Sequence, residues 1–243
     1  MRNAMRISSA IVLLSHLAIA QKHSFEVASV KPSRSADSSW MQDCVSGSGP
    51  RNGIAPGTCK GVNASLLRMI ALAYDLPFFT ASQYIQGGPN WIRTERYNLE
   101  GRAADASVSA ADLRLMLQNL LAERFKLKLH QESREISGYV LVVAKGGPKS
   151  VPRPRNGKVA CGSDSSQMLA QCLSAHLGEP IVDKTGIGNS PNMFLTMDAL
   201  GLNEPNPPSI FTVVEEQLGL KLERQKIRMT MLVIDSAERP DEN

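Results

Sequence analysis

Ser109-Ala110-Ala111-Asp112-Leu113-Arg114-Leu115-Met116-Leu117-Gln118-Asn119-Leu120-Leu121-Ala122-Glu123-Arg124-Phe125-Lys126-Leu127-Lys128-Leu129-His130 decides how this chain folds. Leu113, Met116, Leu117, Leu120 and Leu121 recur at helical spacing, so one face of a helix is lined with apolar side chains. Ser109 stands just ahead with Asp112 three residues on, a start signal in which a hydroxyl oxygen accepts an orphan amide and an acid sits in the positive first turn. After Phe125 the period changes to two. Leu127 and Leu129 alternate with Lys128 and His130, and Tyr139-Val140-Leu141-Val142-Val143 forms a second apolar run that Gly146-Gly147-Pro148 stops. The reading is a helix followed by two strands.

Ser209 to Asp235 repeats it. Ser209 precedes the stripe Ile210, Phe211, Val214 and Leu218, Gly219 ends the helix, and Leu220-Lys221-Leu222-Glu223 and Met229 to Ile234 supply strands. Leu127-Lys128-Leu129 aligns with Leu220-Lys221-Leu222, and the earlier helices align with Leu67 on Leu169. The expected fold is therefore α+β, built as two tandem similar modules, each with two helices packed on a small mixed sheet.

Residues 1–20 stand apart from the fold. Arg2 and Arg6 precede the apolar run Ile11-Val12-Leu13-Leu14, and Ala18-Ile19-Ala20 closes the segment, which reads as a secretory signal peptide cleaved after Ala20. The run is too short to span a bilayer, and no transmembrane segment is expected in the mature chain. Loss of Arg2 and Arg6 takes 27 basic residues to 25 against 23 acids, a net charge of about +2, so no footprint for nucleic acid remains. A periplasmic or secreted protein is expected. Its four cysteines, all beyond the signal segment, allow three disulfide connectivities, of which neighbours in sequence favour Cys44 with Cys59 and Cys161 with Cys172. Neither pair has the Cys-x-x-Cys spacing of a zinc site, and no metal ligand is assigned.

The expected domains are residues 21–145 and 165–243, joined by a basic Pro/Gly linker over 146–164. In the first, Phe25 to Val30 alternates as a strand ending at Pro32. Residues 33–61 read as a long loop stapled by Cys44 and Cys59, and Asn63 as the cap of a helix with Leu66, Leu67, Ile70, Ala73 and Tyr74 on its apolar face. Tyr97 to Gly101 alternates as a further strand. The basic run from Lys145 to Gly162, with Lys145, Lys149, Arg153, Arg155 and Lys158, reads as solvated chain, with an anionic surface partner as the alternative. In the second, Ser165 or Ser166 caps a stripe of Met168, Leu169, Cys172, Leu173 and His176 that Gly178 ends.

Phe25-Glu26-Val27-Ala28-Ser29-Val30-Lys31-Pro32, Gly87-Gly88-Pro89 with Trp91, Arg96 and Tyr97, Leu121-Ala122-Glu123-Arg124-Phe125-Lys126-Leu127, Val142 to Pro148, Val182-Asp183-Lys184-Thr185-Gly186 and Glu242-Asn243 together resemble one family. It is the uncharacterised family of exported bacterial proteins, abundant in acidobacteria, that carries the domain of unknown function 3738. The resemblance implies export and a fold and brings no activity. It departs at one place: the family's Gly-x-Tyr-Asp-Phe strand is replaced by Asn189-Ser190-Pro191-Asn192-Met193-Phe194. The order of elements also resembles the N-terminal modules of secretin-type and signalling proteins of outer-membrane machines.

Catalytic patterns are wanting. Lys184-Thr185-Gly186 resembles a motif of penicillin-binding enzymes, but no Ser-x-x-Lys nucleophile accompanies it, and Asp183 to Gly186 reads as a tight turn. Gly47 to Gly53 lacks the strand and helix of a dinucleotide loop. His23, His130 and His176 have no mutual helical spacing. No cofactor is implied. Phe78, Phe79, Tyr84 and Trp91 form the candidate interaction patch, since aromatic side chains just past a helix end are hard to bury. The expected function is an exported, non-catalytic binding or protein-interaction protein of the cell envelope, its partner an envelope protein or small ligand. The alternative is an exported hydrolase whose site assembles only in three dimensions, marked by His130 or His176 beside a carboxylate in a cleft.

Overall fold

The computed structural model describes residues 23–35, 39–47, 49–77, 80–153, 155, 159–196 and 208–241. The presumptive signal segment, Phe78 and Phe79, and the Asn203 to Pro207 part of the loop lie outside them. The described chain is mixed α+β. Its strands are β1 (Val27–Pro32), β2 (Met41–Val45), β3 (Thr58–Ala64), β4 (Ile85–Gly87), β5 (Tyr97–Arg102), β6 (Lys128–Val143), β7 (Val159–Ser165), β8 (Ile181–Asp183), β9 (Asn189–Thr196) and β10 (Leu220–Ser236). The helices are α1 (Leu66–Ala73), α2 (Ala81–Tyr84), α3 (Trp91–Thr94), α4 (Ala110–Arg124), α5 (Ser166–Leu177) and α6 (Ile210–Leu218). They form two compact units: the first takes residues up to 77, 85–130 and from 233 on, and the second takes 80–84 and 131–232.

In the first unit β1, β5, β3 and β2 lie in that order in an antiparallel sheet. β5 is the pattern-setter: Tyr97, Leu99 and Gly101 point inward while Asn98, Glu100 and Arg102 face out, as a period of two requires. Helices α1 and α4 pack on the inner face against β2 and β3. The five apolar residues of the α4 stripe are all buried, at about 1.5–3 kcal/mol for each large side chain withdrawn from water. Ser109 caps α4: its oxygen accepts from the Asp112 amide at 3.1 Å, and its hydroxyl donates to the Asp112 carboxylate at 2.7 Å. Gln118 donates to the Ala73 carbonyl at 2.9 Å and ties the two helices together.

Two expectations for this unit are revised. The stretch 33–61 is not all loop, because β2 and β3 pair across it with Cys44 directly opposite Cys59. Its polar composition hides the strands, and the Cys44–Cys59 disulfide joins a registered cross-strand pair. Nor does Asn63 cap α1. It lies on β3 with φ 52°, where the β3/β5 register shifts, and the cap is Ser65, whose oxygen accepts from the Arg68 amide. Asparagine tolerates the left-handed region because its short amide can bond locally, and here Asn63 donates from its side chain to the Ser39 carbonyl.

The second unit holds α5 packed on β7, β8 and β9, with α6 on β9. Leu141, Leu169, Leu173, Leu195, Val214, Leu218 and Leu220 lie in one buried cluster. β7 pairs antiparallel with β9, and β8 runs parallel to β6. The Cys161–Cys172 disulfide joins β7 to α5. The basic stretch after Gly147 is tied in where it is described: Lys149 bonds the Leu218 carbonyl through its amide, and Val151 bridges to Met193. Asn189 to Phe194 remains strand despite its departure from the family pattern, with Asn192 at φ 71° and its amide held by the Asp164 carboxylate.

The strands expected in pairs after α4 and α6 are instead single long ones, β6 of 16 residues and β10 of 17. Charges obscured the continuity. Glu132 and Arg134 occupy half-buried positions of β6, Lys226 and Arg228 flank the buried Ile227 on β10, and Lys226 meets Glu135 across the strands at 3.7 Å. In the sheet of these strands the order is β4, β10, β6, β8.

Gly219 is the tightest point of this unit. It ends α6 at φ 62°, and a Cβ there would collide with the Gly147 carbonyl oxygen. Gly219→Ala is expected to cost on the order of 2 kcal/mol or more, from left-handed strain plus displacement of residues 146–149. Gly146→Ala, whose Cβ would meet nothing within 4 Å, is the control. Thermal melts of the two variants check this, with the larger loss expected at 219.

Candidate functional site

The outer face of the first unit's sheet carries a cluster of charged and polar side chains. Because β5 turns Asn98 and Glu100 outward, their partners on β1, Lys31 and Ser29, stand on the same face, and Lys60 of β3 faces Glu100 from the other side. Lys60 approaches the Glu100 carboxylate at 3.8 Å. The bulge after Gly61 interrupts the ladder, and the Asn63 amide donates to the Asn98 side chain at 2.9 Å to anchor the distortion. A depression of about 760 Å³ results, lined by Ser29, Lys31, Arg34, Lys60, Asn98 and Glu100 with Val62 exposed at its edge. Three cations against one carboxylate give it a positive field. At the neighbouring β2, Asp43 is neutralised by a two-pronged bond from Arg51 at 2.6 and 2.8 Å, so it does not offset that charge.

Of the expected patch residues, Trp91 and Tyr84 are among those described, one in each unit. Trp91 opens α3 in the first unit and stacks on Phe125 with centroids 6.3 Å apart, while Tyr97 meets Phe125 edge-on at 5.1 Å. Phe125 is fully buried. Arg239 lies over Trp91 and holds Glu95 through two nitrogens, the shortest bond being 2.7 Å, and the Tyr97 hydroxyl donates to the same carboxylate. The Arg239 bonds hold Glu95 below the usual carboxylate range, and burial first, then Glu95, push the Tyr97 phenol well above its own. This is a packed lock on the chain's C-terminal return. Tyr84 belongs to the second unit and is half-buried against Val140, Ile227 and Met229. Phe78 and Phe79 lie outside the described residues.

The Asp183 turn is likewise structural. Ser166, fully buried at the start of α5, donates to the Asp183 carboxylate at 2.5 Å, and Thr185 donates to it from both amide and hydroxyl at 2.9 and 2.7 Å. Burial works against the charged form of Asp183, yet these donors outweigh it and hold the carboxyl below its ordinary range. No lone pair aimed at a substrate is needed to explain the motif. His130 meets Asp235 at 2.9 Å, an imidazole and carboxylate brought together from β6 and β10. Both side chains are about half exposed, 54% and 49%, on open strand surface where water competes for the contact, unlike the cleft a hydrolase reading requires. His176 lies beside the Cys161–Cys172 disulfide, its Nδ1 at 3.5 Å from the Cys161 sulfur. The sequence places Cys172 and His176 on one helical stripe but carries no signal that Cys161 also meets the imidazole. Lys31, Arg34 and Lys60 were also missed, being scattered over a strand and what read as loop.

The family model described as Protein of unknown function (DUF3738) matches residues 67–237. No curated protein and no solved structure matches the chain. No helix among the described residues is long and apolar enough to cross a membrane.

The Asp183 bonds have a pH signature. With its folded-state pKa below the unfolded value, the carboxylate stabilises the fold above about pH 4 and ceases to do so as pH falls through the folded value. Asp183→Asn is expected to melt several degrees below the parent at pH 7, with the gap narrowing toward pH 2 in thermal melts. An unchanged gap would show that the charge is not what the turn relies on.

Proposed function

We propose that this chain, which belongs to the DUF3738 family, is an exported, non-catalytic binding protein of the bacterial cell envelope, of the kind its acidobacterial-type motifs suggest. The observation that carries the reading is the polar depression on the first unit's outer sheet face. It is not an enclosed cavity and three cations line it, which suits an extended anionic chain, an acidic peptide or glycan segment. Among the described residues no carboxylate forms an ion pair with Lys31 or Arg34, leaving both cations available to such a ligand. Two disulfides support folding in an oxidising compartment, and the segment 1–20 supports export into one.

The element order supports duplication as the origin of the architecture. β3, α1, β4, β5, α4, β6 is matched by β7, α5, β8, β9, α6, β10 in sequence order, with the short α2 and α3 as insertions in the first copy. β3 pairs antiparallel with β5 as β7 does with β9, and the sheet order β4, β10, β6, β8 reads the same when the copies are exchanged. This order is also the basis for likening each copy to a secretin-type N-terminal module.

Fluorescence anisotropy of a labelled hexaglutamate peptide titrated with the purified chain tests the binding reading. Binding that weakens with salt is expected, and Lys31→Glu combined with Lys60→Glu should weaken it by about tenfold or more through like-charge repulsion. Equal affinity of parent and variant, or no binding at low salt, would overturn it.

A further inference from the structure

We propose that Cys161, Cys172 and His176, after reduction of their disulfide, form a three-ligand site for a thiophilic cation of the Zn²⁺ class. The inference stands independently of the sheet face, since it concerns other residues in the second unit. Cys172 and His176 are four apart on α5 and therefore share a helix face. Cys161 comes from β7, against which that helix packs. One ligand atom from each residue lies within 4.8 Å of the other two.

The spacing fits the chemistry. Zinc–sulfur and zinc–nitrogen bonds of ordinary length at tetrahedral angles put sulfur and nitrogen about 3.5 Å apart and two sulfurs about 3.8 Å apart. Cys161 Sγ and His176 Nδ1 are already 3.5 Å apart. The two Cα atoms are 5.6 Å apart, so the freed thiols can part by side-chain rotation alone. Cys161 is buried, Cys172 half-buried and His176 exposed, which places two of the three donors, and the fourth coordination position, toward solvent. His176 Nδ1 also lies 3.2 Å from the Cys172 carbonyl oxygen. In the metal-free chain it can carry its proton there, and ligation through Nδ1 takes the other tautomer of the neutral ring, with the proton on Nε2.

The step balances. A dithiol reductant transfers two electrons and two protons to the disulfide, becomes a disulfide itself, and leaves two cysteine thiols. A divalent cation then displaces both thiol protons to form two metal–sulfur bonds and takes the imidazole nitrogen as third donor. The Cys44–Cys59 pair provides an internal contrast: Cys59 is fully buried on β3, Cys44 nearly so on β2, and neither belongs to such a cluster of ligand atoms among the described residues.

The test uses the full mature chain, oxidised and reduced, titrated anaerobically with Co²⁺ as a spectroscopic probe and with Zn²⁺ against a chromophoric chelator. The reduced parent should bind one equivalent with the visible d–d and sulfur charge-transfer bands of tetrahedral cobalt, and the oxidised chain should show none. His176→Ala, at an exposed position where folding is not at stake, should weaken Zn²⁺ binding by at least about tenfold, since even outer-shell changes at zinc sites cost that much. Cys161→Ser with Cys172→Ser should abolish the bands, and Cys44→Ser with Cys59→Ser should leave them. Equal Zn²⁺ affinity of parent and His176→Ala, bands that survive loss of Cys161 and Cys172, or the absence of thiol-dependent bands in the reduced parent would each overturn the proposal.

Discussion

Two continuous strands govern this structure. At about 3.3 Å per residue the 17 residues of β10 rise roughly 55 Å, more than one small core can cover. Each long strand is therefore divided: β6 gives its first three residues, Lys128 to His130, to the first unit and the rest to the second, and β10 gives its residues through Leu232 to the second and its end to the first. Charged residues dominate the middle of each strand, whereas Val140, Leu141, Met231 and Leu232 are buried.

The same division decides what the sequence disclosed. Helix α4 was legible because one packed face imposes one period, and all five stripe residues are buried. Gly178 and Gly219 were legible as helix ends because φ near +65° leaves few alternatives to glycine. The long strands were half legible, since the hydrophobic signal lapses where no core lies against them. β2 and β3 were illegible, because in a strand of Gln, Asp and Cys the pairing partner, and not the composition, specifies the element. Ser65 was passed over for Asn63 by one further ambiguity: asparagine favours both helix caps and left-handed positions, and only the β3 bulge decides between them.

Packing also accounts for most of the motifs that tie the chain to its family. In the Gly87-Gly88-Pro89 segment, Gly87 and Gly88 admit the close approach of Ile234, and Trp91, Tyr97 and Phe125 interlock. The Asp183 turn is consumed by Ser166 and Thr185. The residues of these two motifs are taken up by packing and by turn formation.

The two proposed sites differ in their relation to the family model. Lys31, Arg34 and Lys60 precede the span that the family model matches, which begins at 67, whereas Cys161, Cys172 and His176 fall inside it. A ligand held on the sheet face would accordingly meet cations that all precede the matched span, with Asn98, Leu99 and Glu100 from within it. The cysteine–histidine cluster, by contrast, is built from a helix and strand of the matched region. The two proposed sites are thus distinct, by unit and by residue.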